Sequence, residues 1–152
     1  MNITWMLKAF DDLSPNELYA LLRLRSEVFV VEQNCVFLDM DNKDHYCQHL
    51  LGWDGDKLAA VARIVPAGKS YEEASIGRVV TAPFSRGTGM GRKLMEVAIH
   101  ELYKMYGQVP IRIGAQQHLH KFYGSLGFQT ASEPYDEDGI MHVEMVKTID
   151  NG

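Results

Sequence analysis

Between Pro83 and Met95 the chain reads PFSRGTGMGRKLM, with Gly87, Gly89 and Gly91 at every second position and a helical pattern starting directly afterwards. Glycine loses more backbone freedom on folding than any other residue, so this spacing marks a loop where bare backbone is required. The segment before it, Ile76 to Thr81, reads as a strand. Behind it Leu94, Ala98, Leu102 and Met105 recur at helical spacing to about Tyr106, where Gly107 and Pro110 stop the helix. A strand that runs through a glycine loop into a helix confines the chain to folds in which helices pack on a sheet. It also makes the loop a candidate anion site, because the first turn of a helix presents unpaired N–H groups with partial positive charge.

The charge pattern agrees with that reading. No acidic residue occurs between Glu73 and Glu96, whereas Arg78, Arg86, Arg92 and Lys93 do, in a chain whose net charge is −5. The acidic balance speaks against general nucleic-acid or membrane-surface binding, both of which require a basic excess. Two phosphate-binding motifs fail at one position: the mononucleotide P-loop and the dinucleotide fingerprint, counted from Gly87, each require a glycine where Arg92 stands. The pattern R-x-x-G-x-G fits without a gap, at Arg86, Gly89 and Gly91.

The remaining chain supplies a frame for this loop. A short apolar segment near Ile3 to Leu7 precedes SPNE at Ser14 to Glu17, which has the form of a capping box with Pro15 at the first helical position. The spacing of Leu18, Leu21, Leu22 and Arg25 predicts a helix ending near Phe29 to Glu32, followed by a loop from Asn34 to Asp44. His49 to Trp53 and Leu58 to Val65 read as strands joined by the turn DGDK. After the glycine-loop helix, Ile111 to Ala115 reads as a strand, His118 to Leu126 as a short helix closed by Gly127, and Phe128 to Ala131 and His142 to Thr148 as strands. No repeat, low-complexity tract or long apolar run interrupts the pattern, so the expectation is a single domain over residues 1–152 that does not cross a membrane. The expected class is α/β in the broad sense (α+β), with helices on both faces of a mixed sheet.

R-x-x-G-x-G after a strand and before a Leu- and Met-rich helix resembles the acyl-CoA diphosphate loop of the GNAT superfamily of N-acetyltransferases. The string FYGSLGF, Phe122 to Phe128, is similar to a second signature of that superfamily, a tyrosine on a short helix followed by Gly-Phe. LRSEVFVVEQ from Leu24, HLLGW from His49, IGRVV from Ile76 and YDEDGIMH from Tyr135 extend the resemblance over most of the chain and resemble its ElaA-like branch. The resemblance implies a GNAT fold, with a mixed, mostly antiparallel central sheet of six to seven strands. It also implies acetyl-CoA as co-substrate and a primary amine as acceptor.

In such enzymes the amine attacks the thioester directly and CoA thiolate leaves. The implied cofactor residues are Arg86, Gly87, Thr88, Gly89, Met90 and Gly91 around the diphosphate, and Val79, Val80 and Thr81, whose backbone amides are expected to leave the strand ladder and become free donors. Tyr123 is the implied acid for the leaving sulfur, a phenol and an alkyl thiol being close enough in pKa to exchange a proton. A base for the incoming amine is sought among Glu32, His118, Glu137 and His142, with His142 carried forward as the catalytic candidate for its unperturbed pKa and its place beside the acceptor cleft. Arg25, Glu32 and Gln33 are candidates for binding the acceptor.

Other readings remain open. The glycine loop could be a bare turn, Tyr123 a packed core aromatic, and Arg78 a surface ion-pair partner. A non-catalytic acyl-CoA-binding or regulatory module would show the same motifs. His45, Cys47 and His49 alternate, and on a strand would share one face with Cys35 as a fourth zinc ligand, but their spacing matches none of the usual paired-ligand forms and no metal is expected. Two cysteines without a secretion signal point to reduced thiols and a cytoplasmic protein. A homodimer is compatible with the resemblance.

Overall fold

The computed structural model of the protein describes residues 2–149; residue 1 and residues 150–152 of the expected unit lie outside them. Strand β1 (Thr4–Ala9) leads to helix α1 (Pro15–Arg25). The capping box forms: Ser14 Oγ accepts from the Glu17 N–H at 3.1 Å, and the Glu17 carboxylate accepts from the Ser14 N–H at 2.8 Å. Past Arg25 the helix widens into π-helical turns over Ser26–Glu32, with the N–H groups of Gln33 and Cys35 donating to the carbonyls of Val28 and Val30. The β-branched and aromatic run from Val28 to Val31 crowds an α-helical turn, which favours this wider path.

Strands β2 (Gln48–Asp54), β3 (Lys57–Val65) and β4 (Ser75–Thr81) complete an antiparallel sheet of order β1-β2-β3-β4. Helix α2 (Met90–Tyr106) follows the glycine loop. The second sheet contains β5 (Ile111–Gln116), then, after the short helix α3 (His120–Gly124), β6 (Gln129–Thr130), β7 (Tyr135–Glu137) and β8 (Ile140–Lys147), with β5, β6 and β7 all pairing with β8. The mixed architecture with helices on both faces is the expected one, although among the described residues eight strands form two linked sheets. The additional strand is β7, whose three residues lie too close to the turn at Asp138 and Gly139 for a period to show in the sequence.

Strand β3 lies at the centre because it is apolar on both faces. Leu50, Ala60, Ala62 and Ile64 pack against Leu94, Met95, Ala98 and Leu102 of α2, together with Ile111, Ile113, Val143 and Met145 from the second sheet. On the other face Leu51, Val61 and Val80 pack against Leu21 and Leu24 of α1 and against Val28. Each buried Leu, Ile, Val or Met side chain among them contributes about 1.5–3 kcal/mol by leaving water, which fixes both helices on the sheet.

The two sheets touch at one end of β4 and β5. Ala74 bridges to Ile111 in parallel sense, and the Arg112 N–H donates to the Ala74 carbonyl at 3.0 Å. Among the described residues no ladder joins β4 to β5 beyond that point. The edge of β4 that faces β5 is therefore open.

Candidate active site

The glycine loop is anchored from below and open above. Ser85 is fully buried, with its hydroxyl 3.0 Å from the Ala59 carbonyl and 2.9 Å from that of Ala82. Gly87 and Gly89 have φ of +78° and +79°, the left-handed region that glycine enters without steric cost. Gly89 caps α2 with no side-chain partner, and the first helical bond runs from the Lys93 N–H to the Gly89 carbonyl at 3.1 Å. The N–H groups of Met90, Gly91 and Arg92 consequently have no acceptor within the helix and point out of its N-terminus. A Cβ at Gly91 would meet only Phe122 Cζ, at an ordinary 3.9 Å, so the fold itself does not require glycine there.

Helix α3 lies beside this loop. Arg92 donates to Ser125 Oγ at 2.9 Å and pairs with Glu96 at 3.3 Å, tying the start of α2 to the end of α3. The two sequence signatures are thereby neighbours in space.

The opening between β4 and β5 belongs to a cavity of about 730 Å³ that Val79, Val80, Thr81, Arg86, Ile113, Gln116, Tyr123 and His142 help to line. Val80 and Thr81 do not leave the ladder, contrary to the sequence expectation; they stay in register with Val61 and Ala60 of β3. Ala82 donates to the Ala59 carbonyl on the β3 side at 2.8 Å, and alternation along a strand turns the Thr81 N–H to the opposite edge. Free donors thus arise from a missing neighbour on the β5 side. Arg78 and Val79 stand opposite the single residue Ala62 in a β-bulge, and Arg78 has φ of +48°.

Tyr123 is buried at 8 % exposure, edge-on to Phe122 and Phe128 at 5.1 and 6.1 Å. Burial raises its pKa to about 12, so the phenol is a neutral donor at physiological pH. Among the described residues its hydroxyl has no hydrogen-bond partner, and the side chain lines the cavity. It is both a packed aromatic and a cavity group.

His142 lies on the facing wall. Its Nδ1 is 2.8 Å from the Ile140 carbonyl, which can only accept, so Nδ1 carries the proton and Nε2 faces Glu137 at 3.3 Å. Tyr135 stacks on the imidazole at 5.9 Å. The Tyr135 and Tyr71 hydroxyls fill the space above Gly114, where a Cβ would lie 2.9 and 3.0 Å from them. Burial, followed by the charge of nearby groups, raises the Tyr71 pKa above its ordinary value.

The other candidates separate. Gln33 lines the cavity, whereas Glu32 is an exposed partner of Arg86 at 2.6 Å, and Arg86 Nη2 also reaches the Thr81 carbonyl at 3.3 Å. His118 is exposed and outside the cavity lining. Arg25, expected as an acceptor-binding residue, is 0 % exposed and donates to Asp39 and Asp44, each at 2.8 Å. Asp44 also accepts from Arg63 at 3.0 Å, and Arg63 grips Asp41 through two bonds of 2.9 Å. Arg78 does form an ion pair, but from a partly buried position, with its Nε 2.9 Å from Oδ1 of the buried Asp39. Nothing in the sequence distinguishes these arginines and aspartates from solvated ones, so the network was not legible there.

This network sets an acid limit on stability. Burial acts to raise the pKa of Asp41 and Asp44, but hydrogen bonds and charge from Arg63 and Arg25 overcome it and hold both below the ordinary 3.8. Burial lowers the His49 pKa below 6.5, its Nε2 donating to the Asp44 carbonyl at 2.9 Å. All three groups bind protons less readily folded than unfolded, so their stabilisation is present at neutral pH and lost on acidification. The melting temperature should fall in two stages, beginning below about pH 6.5 with His49 and steepening below about pH 4 with the aspartates. A calorimetric pH series that stays flat down to about pH 4 would contradict this assignment.

The alternative ligand set does not converge. His45 lies in a short 3-10 turn against Phe10, with ring centroids 4.4 Å apart, so the strand alternation assumed for residues 45, 47 and 49 starts too early. Cys47 Sγ bonds to the Lys43 carbonyl and Cys35 Sγ to that of Asp138. Among the described residues no three His, Cys, Asp or Glu side chains gather to hold a metal ion.

Known proteins resemble this chain in sequence and in fold. The family described as "Acetyltransferase (GNAT) domain" matches residues 12–149. Protein ElaA of Escherichia coli is 41% identical over 149 residues, 97% of each chain. Its crystal structure superposes with a TM-score of 0.90, at 40% identity, over 96% of this chain and 99% of that one. The crystal structure of an acyl-CoA N-acyltransferase from Pseudomonas aeruginosa gives a TM-score of 0.93 at 38% identity, over 97% of this chain and 100% of that one. The overall fold is thus shared with these proteins over nearly the whole chain, and the chain belongs to the GNAT acetyltransferases, in their ElaA-like branch.

Proposed function

We propose that the protein transfers an acetyl group from acetyl-CoA to a primary amine by direct attack, with Tyr123 protonating the departing thiolate. The observation that carries this reading is the continuity of one cavity past the open β4 edge, Tyr123 and His142. The N-terminus of α2, with Met90, Gly91 and Arg92 N–H groups unpaired, suits the CoA diphosphate, and Arg86, Gly87, Thr88 and Gly89 shape the approach to it. The Thr81 N–H suits the pantetheine arm or the thioester oxygen, where a fixed donor is most useful as negative charge develops. His142 Nε2, beside Glu137, is the base that takes the amine's proton, directly or through water, and Gln33 contacts the acceptor. A cytoplasmic setting belongs to this reading.

Two measurements test it. Acetyl-CoA should raise the melting temperature, because a ligand held only by the folded state stabilises it, and free thiol should appear when a suitable amine is added. Thermal stabilisation without thiol release across a broad amine panel would favour a non-catalytic CoA-binding module. Absence of both would remove the assignment.

Gly91→Ala separates the ligand role from the folding role. Alanine favours a helix over glycine by about 1 kcal/mol, and the new methyl meets no clash in the protein, so thermal stability should hold or rise. Affinity for acetyl-CoA, titrated calorimetrically, should nevertheless fall at least about tenfold, as the methyl stands where the diphosphate must approach the backbone. Unchanged affinity would move the diphosphate elsewhere.

A further inference from the structure

The identity of the amine is narrowed by the charges around one part of the cavity. Arg78 lies in the β4 bulge with φ of +48°, a conformation that L-residues avoid and that persists where the surroundings or a function hold it. Its side chain is 27% exposed and lines the cavity. Its ion pairs are shared and imperfect. The Nε is 2.9 Å from Asp39 Oδ1, yet neither atom has an aligned hydrogen bond, and the other Asp39 oxygen is held by Arg25; the guanidinium otherwise makes a long 3.4 Å bond from Nη2 to the Asp39 carbonyl and lies 5.6 Å from the Phe29 ring centroid. Asp41 is gripped by Arg63 through both oxygens and approaches Arg78 only at 3.6 Å.

Arg25, Arg63 and Arg78 balance Asp39, Asp41 and Asp44, while Lys43 lines the same cavity with no acidic partner among the described residues. A stretch of wall that presents a lysine without an acidic partner and an incompletely bonded guanidinium favours an anion. On the β7–β8 turn, Glu137 and Asp138 line the cavity beside His142, a setting that favours an ammonium or amine. The anion here is not the CoA diphosphate: the whole segment from Val79 to Ser85 separates Arg78 from the glycine loop, which places Arg78 toward the acyl end.

Resting on the acyl-transfer reading above, we propose that Arg78 and Lys43 form a carboxylate subsite and that the acceptor is an amino carboxylate, its amine directed to His142 and Glu137. The product is then an N-acyl amino acid or an N-acylated chain bearing a nearby carboxylate. Arg78 is a binding residue in this scheme.

Product analogues test the subsite without requiring turnover. With CoA present, N-acetyl amino acids with apolar, polar and acidic side chains are titrated into the protein alongside their N-acetyl amino acid amides. At least one acid should bind at least about tenfold more tightly than its amide, and R78Q should reduce that ratio below about threefold, with K43Q reducing it in part. If R78Q does not fold, K43Q decides alone, because Lys43 has no ion pair to lose. No acid outbinding its amide, or a ratio that survives the variants, overturns the proposal. Weakened binding of succinyl-CoA in the variants, with the acid-to-amide ratio intact, would put the carboxylate on the acyl donor and equally overturn the acceptor assignment. A parallel titration with acetyl-CoA keeps the two levels apart: its failure in the unmodified protein removes the acyl-transfer reading, whereas its success with equal acid and amide binding removes only the subsite.

Discussion

Tyr123→Phe should lower kcat at least about a hundredfold while leaving the affinity for acetyl-CoA within about twofold. The ring sits edge-on between Phe122 and Phe128, so phenylalanine fills the same space and the packing around the cavity survives. Only the hydroxyl is removed, and that group has no hydrogen-bond partner among the described residues, so no buried polar atom is orphaned by its loss. The effect therefore isolates proton donation to the thiolate, a general-acid contribution of about 10²–10⁴ in rate. With its pKa near 12 the phenol keeps its proton, and ionisation of Tyr123 should impose no fall in rate below about pH 10. A Phe variant turning over at the parental rate would make Tyr123 a packing residue only.

Arg25→Ala should have the largest effect on stability. Asp39 and Asp44 are 4% and 6% exposed, and both rely on Arg25 for a charged hydrogen bond. Removing one partner of a buried ion pair leaves uncompensated charge and costs about 3–5 kcal/mol. In a chain of this size each kcal/mol moves the melting temperature by about 2–4 °C, so a loss of at least about 6 °C is expected. A direct acceptor-binding role would instead raise the KM for the amine with the melting temperature unchanged, so calorimetry beside steady-state kinetics distinguishes the two roles.

The network explains how an irregular segment becomes a cavity wall. Asp39, Asp41 and Asp44 pin the stretch after the π-helical turns to arginines of α1, β3 and β4, while Val36 and Leu38 remain exposed at 97% and 74%. Polar side chains face in and aliphatic ones face out. Such a segment has no hydrophobic period, and a sequence search for periods therefore reads it as a loop and nothing more.

What was legible in the sequence was local. The capping box at Ser14 and Glu17 and the glycine punctuation of α2 act over a few residues, and the structure realises both. The resemblance carried by Arg86 to Gly91 and by Phe122 to Phe128 supplied the long-range statement that the two segments belong together, and the Arg92–Ser125 contact now joins them. The bulge at Arg78 was illegible because Ile76 to Thr81 has an ordinary strand composition; the extra residue shows only against the register of β3. The roles of Arg25 and Arg63 were hidden for a related reason. A charged residue on a helix or strand reads as solvated unless its partner's position is known, and those partners lie 14 to 22 positions away.

Acetyl transfer is measured most directly as amine-dependent thiol release from acetyl-CoA, followed together with mass analysis of the acceptor, for the unmodified protein and Tyr123→Phe at matched acetyl-CoA saturation. The unmodified protein should yield acetylated amine and free CoA in equal amounts, and the variant should release thiol at least about a hundredfold more slowly. Thiol release that is independent of amine, or a variant as fast as its parent, would contradict the proposed reaction.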